Sequence, residues 1–110
     1  MIDWNRVGEL RGEVGEEDFA EVVELFLEEV DELVERLSTA PDPPTYEADL
    51  HFLKGSALNL GFVEFAALCA EGEAKAARGE QAKVDLGSIL DCYQTSKAQF
   101  LTDERVDDAA

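Results

Sequence analysis

The chain reads as an all-α domain: an antiparallel up-down four-helix bundle with a short capping N-terminal helix. Three features predict it. Apolar residues recur at spacings of three and four over four long stretches. Glycine and proline stand between those stretches and leave only short connections, which favour antiparallel neighbours. No β-branched alternation bounded by hairpin turns occurs, and no internal repeat is visible.

The first helix is expected in "DWNRVGELRGEVG", with Trp4, Val7 and Leu10 on one side and an end near Gly12 or Gly15. The second and strongest is "EEDFAEVVELFLEEVDELVERL", whose Phe19, Val22, Val23, Phe26, Val30, Leu33 and Leu37 share a face. Its acidic start and Arg36 near its end suit the helix dipole, and its other glutamates form a solvated face. "STAPDPPT" then breaks the helix, since proline is tolerated in a first turn but not in an interior. A third helix is expected from Thr45 to Leu60, closed by Gly61 in the left-handed conformation. The fourth runs from Val63 to Arg78, ending at Gly79. The fifth spans Gln81 to Leu101 with Leu86, Leu90, Tyr93 and Phe100 inward. Residues 1–102 thus form one bundle domain, and residues 103–110 an acidic tail too polar to pack, expected to be disordered. The initiating methionine and that tail suit a free-standing protein, expected to be a monomer.

Composition narrows the function. The net charge of −17 disfavours nucleic acid and anionic membranes, whose phosphates would be repelled. No apolar run is long enough to span a bilayer and the N-terminus does not read as a signal peptide, so the expected location is cytoplasmic. Cys69 and Cys92 follow no CxxC pattern and read as small hydrophobes, and a single histidine leaves no basis for a zinc site. The charge is also uneven. Residues 1–50 carry 16 acids and 3 bases, residues 79–110 carry 7 and 3, and residues 51–78 carry 3 of each. The one histidine, His51, opens that neutral segment, in "HFLKGSALNLGF".

At about 100° per residue, Tyr46, Leu50, Leu53, Ala57 and Leu60 define the core stripe of the third helix, and His51 lies roughly 140° from it. Gly55 lies at about 180° and Lys54 at about 80°. His51 therefore faces water. A glycine one turn on costs about 1 kcal/mol against alanine in a helix interior, and the gap it leaves lets a bulky partner approach the ring. Lys54 supplies positive charge and Ser56 a hydroxyl, so a phosphoryl group on the imidazole would suit all three. Neutral imidazole is a nucleophile at cellular pH and, once phosphorylated, a good leaving group.

The string His51, Leu53, Lys54, Gly55, Ser56, Leu60, Gly61, followed by Leu68, Cys69 and Glu73, resembles the histidine-containing phosphotransfer (HPt) domains of two-component phosphorelays. The resemblance covers most of residues 3–101. It implies that His51 is phosphorylated on Nε2, that Lys54 offsets the phosphoryl charge, and that Gly55 lets a response-regulator receiver dock. It also places Glu73, 22 residues on, where family members carry a glutamine or glutamate that bonds the other ring nitrogen. Glutamate there is more similar to the phosphotransfer domains of chemotaxis kinases than to relay intermediates. Such a carboxylate would fix the tautomer that leaves Nε2 free to attack.

The expected partners are receiver domains and a sensor histidine kinase. No cofactor is expected on this chain, with Mg²⁺ held by the receiver, and no nucleotide loop is present, so the chain is a carrier and not an enzyme. The alternative is an adaptor that binds a receiver or kinase without carrying phosphate, for which Ala48, Gly55 and Leu58, on the outward half of the helix with His51, would serve equally. A hydrolase using His51 with Ser56 or Cys69 is disfavoured, because Ser56 lies about 140° around the helix from His51 and no GxSxG elbow exists.

Overall fold

A computed structural model describes residues 2–103. It contains five α-helices: α1 (Trp4–Val14), α2 (Glu16–Thr39), α3 (Tyr46–Leu60), α4 (Val63–Ala77) and α5 (Leu86–Thr102). Single 3₁₀ turns at Pro43–Thr45 and Gln81–Lys83 precede α3 and α5. The described residues form no strand, only an isolated antiparallel bridge between Ile2 and Phe62. The longest dimension, 43 Å, is close to the length of α2, about 36 Å at 1.5 Å per residue.

Helices α2, α3, α4 and α5 pack in a closed ring, α2 on α3, α3 on α4, α4 on α5 and α5 back on α2, with α3 and α4 the most intimate pair. The core between them is aromatic. Phe19, Phe62, Phe65, Tyr93 and Phe100 are fully buried, with Phe65 and Tyr93 centroids 5.1 Å apart and Phe62 meeting Phe100 edge-on at 5.4 Å. The Tyr93 hydroxyl donates to Asp31 Oδ1 at 2.6 Å and Lys97 pairs with Asp31 Oδ2 at 2.7 Å, which ties α5 to α2. Burial and the Asp31 carboxylate push the Tyr93 phenol up, so it remains a donor. Farther along α2, near its C-terminus, Arg36 pairs with Asp49 at 2.8 Å and so anchors the start of α3.

Helix α1 packs on α2 and α3, with Trp4 stacked on Phe100 at 5.8 Å. Its entry is capped by the Asp3 carboxylate, which accepts from the Asn5 and Arg6 amides. The Asp3 amide in turn donates to Gly61 O at 2.7 Å, so the N-terminal segment is clamped onto the α3–α4 turn. That turn depends on Gly61. With φ at 76° it closes α3 in a Schellman arrangement, the Phe62 amide donating to Ala57 O at 2.8 Å.

The structure moves some expected boundaries and faces. On α2 the buried stripe is Phe19, Val23, Leu27, Val30, Val34 and Leu37, while Val22, Phe26 and Leu33 flank it half-buried. Hydrophobicity alone does not separate the centre of so wide an apolar arc from its shoulders. Thr45 belongs to a 3₁₀ turn held by its bonds to Asp42 O and Asp49, so α3 opens at Tyr46. Helix α4 ends one residue early, at Ala77. Helix α5 begins at Leu86 and not Gln81, because Asp85 accepts from the Ser88 amide and hydroxyl and caps it there. Ile89, Tyr93, Ser96 and Phe100 are its buried residues, with Leu86 and Leu90 half-buried against the core. It ends at Thr102, one residue beyond the expected Leu101; the tail beyond Asp103 lies outside the described residues.

A Cβ at Gly61 would lie 2.6 Å from Asp3 O, in a backbone conformation that alanine adopts at a cost. Gly61→Ala is therefore expected to destabilise the fold by about 2 kcal/mol or more, read from urea unfolding, and to loosen the N-terminal clamp.

Candidate functional site

Leu50 and Leu53 anchor α3 in the core, fully buried, and between them His51 stands on the outer surface with its side chain 70% exposed. Lys54, one turn on, leans toward α4 and is half-buried. On α4, Cys69, Gly72 and Ala76 line the buried side, and Glu73 comes out at the seam between the two helices.

There the three side chains meet. Glu73 Oε2 lies 2.8 Å from His51 Nδ1, and Glu73 Oε1 lies 2.7 Å from Lys54 Nζ. At 2.7 Å the Lys54 contact is a close ion pair within hydrogen-bond distance. One carboxylate thus engages both residues of α3, each through its own oxygen. Lys54 and, after it, His51 hold the Glu73 carboxyl below its ordinary value, against a smaller opposing effect of burial.

An ionised carboxylate only accepts hydrogen bonds. The nitrogen facing it must carry a proton, which assigns Nδ1–H as the tautomer of the neutral ring and leaves the lone pair on Nε2. The ring is held at Nδ1 from the α4 side, on a side chain that is 70% exposed. Lys54 also balances the charge of Glu73, so an anionic group approaching Nε2 does not meet an uncompensated carboxylate.

Other expected residues fall on both sides of this picture. Gly55 is exposed on the His51 face, and a Cβ there would meet nothing within 4 Å, so the space beside the ring is open on this chain's side. Ala48 is exposed on the same face, and Leu58 is 57% exposed. Ser56 is not on it: only 7% of the residue is exposed, and its hydroxyl is not presented beside His51. Helix α3 is packed by α1, α2 and α4, so its buried arc extends beyond the stripe that the apolar spacing defines.

Two residues escaped the sequence reading. Phe52 is 42% exposed beside His51, a signal available in the sequence as an aromatic off the core stripe. Gly72, which no periodicity or motif in the sequence marks, is buried against Leu50. Cys69 is buried, its thiol pushed up to about 12 by burial first and the neighbouring Cys92 and Glu73 next, so it is not a nucleophile. Among the described residues no group of three or more His, Cys, Asp or Glu is placed to hold a metal ion, and no helix is long and apolar enough to cross a membrane.

A depressed carboxylate contributes stability that is complete above its unfolded value and is lost as pH falls through its folded value. For Glu73 that loss begins below 4.5 and finishes under its lowered folded value. Carbon-13 titration of the side-chain carboxyl is expected to place the Glu73 midpoint below 4.5, and Lys54→Ala, which removes the largest cause, to move it back up.

Comparison with known proteins adds an independent line. The family model described as the Hpt domain matches residues 21–104, which takes in α2 from Glu21 onward, α3 to α5 and the seam at His51, Lys54 and Glu73, and leaves α1 and the first five residues of α2 outside. Searches of the curated proteins and of the solved structures found no significant match. The chain therefore belongs to the Hpt domain family, the phosphocarrier modules of two-component signalling.

Proposed function

We propose that the chain is a histidine phosphotransfer protein, which shuttles a phosphoryl group to and from receiver-domain aspartates through phospho-His51. The observation that carries the reading is the divided imidazole: Nδ1 held by Glu73 at 2.8 Å, and Nε2 open on a ring 70% exposed. The four-helix ring serves as a rigid, antiparallel up-down stand for that one side chain.

In the receiving direction, the Nε2 lone pair attacks phosphorus of a receiver aspartyl phosphate. The N–P bond forms as the P–O bond to the aspartate breaks, and the aspartate leaves as a free carboxylate. Positive charge that develops on the ring is met by Glu73 through Nδ1–H, and the proton stays at Nδ1. Transfer onward is the reverse. Catalysis of this kind is positioning and charge balance. Mg²⁺ held by the receiver would supply neutralisation of the transferring oxygens, and this chain would supply Lys54 against the added negative charge. Ala48, Phe52 and Leu58 form the apolar surface on which a receiver sits, and Gly55 keeps the approach to the ring clear. The protein acts in the cytoplasm, as a monomer, between a sensor histidine kinase and its receivers, with no affinity for nucleic acid or membrane.

The test is to present the protein with receiver domains labelled by a ³²P small phosphodonor and Mg²⁺. Acid-labile label on the wild type and none on His51→Gln is expected. Binding of a receiver by both proteins with label on neither would replace the carrier with the adaptor.

Gly55→Gln is expected to leave the fold intact, since the position is exposed and a Cβ there meets nothing within 4 Å, and to slow transfer by obstructing the partner. Gly55→Ala should raise stability by up to about 1 kcal/mol through helix propensity, read in the same urea assay. Lys54→Ala should weaken transfer without abolishing it; an unchanged rate would remove its role in charge balance.

A further inference from the structure

Gly72 lies in the interior of α4, where glycine is a poor helix former, and its φ is not positive, so conformational freedom is not what the position requires. Space is. A Cβ there would stand 2.8 Å from Leu50 Cδ1, 3.1 Å from Ile89 Cδ1 and 3.5 Å from Val84 Cγ1. Gly55, also within a helix, has no such neighbours. The two glycines therefore serve opposite ends: Gly55 leaves room outside the chain, and Gly72 leaves room within it.

The contact is in register with the site. Leu50 directly precedes His51, and Gly72 directly precedes Glu73. The first pair packs across the seam between α3 and α4, and the second pair forms the 2.8 Å bond. Carbon atoms settle at about 3.5–4.0 Å, so a Cβ at the Leu50 position demands roughly 1 Å of relief. Ile89 borders a cleft of about 280 Å³ between α4 and α5 and can yield into it. Leu50 Cδ1 is the end of a flexible side chain, but Leu50 does not border that cleft and is wholly buried, so close packing around it favours relief through the spacing of the two helices. A displacement of that size would stretch the His51–Glu73 bond past the range of about 2.7–3.2 Å in which such bonds hold.

We propose that Gly72 is a positioning residue for His51: by offering Leu50 no side chain, it lets α4 approach α3 closely enough for Glu73 to hold Nδ1. The effect on transfer rests on the phosphocarrier reading above, whereas the effect on the ring does not. The ring's tautomer can be read by long-range ¹H–¹⁵N correlation of labelled histidine, with the imidazole neutral and no phosphodonor present.

The experiment compares wild type, Gly72→Ala, Leu50→Val and Gly72→Ala/Leu50→Val, with circular dichroism to establish that each is folded. The wild type is expected to show Nδ1–H. Gly72→Ala is expected to gain the Nε2–H form and to slow transfer roughly 10-fold or more. The double variant, whose shorter side chain faces the new Cβ, is expected to recover both. A merely structural role would lower the unfolding midpoint and leave the tautomer as in wild type, and a folded Gly72→Ala with unchanged tautomer overturns the proposal. Should Gly72→Ala not fold, the double variant decides: Nδ1–H supports the proposal and Nε2–H overturns it. A tautomer shift in a protein that never takes label would sustain the positioning role and remove the phosphocarrier reading.

Discussion

The carboxylate of Glu73 is the element on which the site depends. It has two oxygens, and α3 takes both, one at His51 Nδ1 and one at Lys54 Nζ. Either half alone would leave a defect. Without Lys54, a carboxylate beside the ring would oppose any incoming phosphoryl group; without the bond to His51, the ring would be free to turn and to place its proton on the wrong nitrogen. The bridge crosses from one helix to the next, so it is only as well placed as the packing of α3 on α4. Three features fix that packing: the left-handed turn at Gly61, the N-terminal clamp across it, and the absence of a side chain at Gly72.

Electrostatics explain why such a site tolerates an acidic protein around it. The whole chain carries −17, which favours solubility and repels polyanions. Residues 51–78, which hold the site, have acids and bases in equal number. Lys54 and Glu73 cancel at short range within that segment, and the long-range field of α2 is spread along a solvated face. Under the proposed function, a transferred phosphoryl group would arrive at the segment whose acids and bases are in balance.

Much of this was legible in the sequence because it is periodic or punctuated. The core stripe of α3 fell where Tyr46, Leu50, Leu53, Ala57 and Leu60 put it, and the outward direction of His51 followed. Gly61 marked the turn, and Asp85 carried a capping signal for α5 that the longer expected helix passed over. What a helical wheel does not contain is the neighbour. It gave Ser56 a hydroxyl for the phosphoryl group, whereas packing from three other helices buries that residue. It gave Lys54 to the phosphoryl group alone, whereas Glu73 reaches the same ammonium across the seam. Gly72 has no pattern of its own; its meaning lies in Leu50 and Ile89, which are distant in sequence and 3.1 Å or less from its would-be Cβ.

The central claim is that Glu73 leaves Nε2, and not Nδ1, as the acceptor. It is tested most directly by phosphorylating ¹⁵N-histidine-labelled protein and finding the imidazole nitrogen that is scalar-coupled to ³¹P. Coupling at Nε2, with Nδ1 still protonated beside Glu73, is the result this account predicts. Coupling at Nδ1 would contradict it, because that nitrogen is the one the carboxylate occupies.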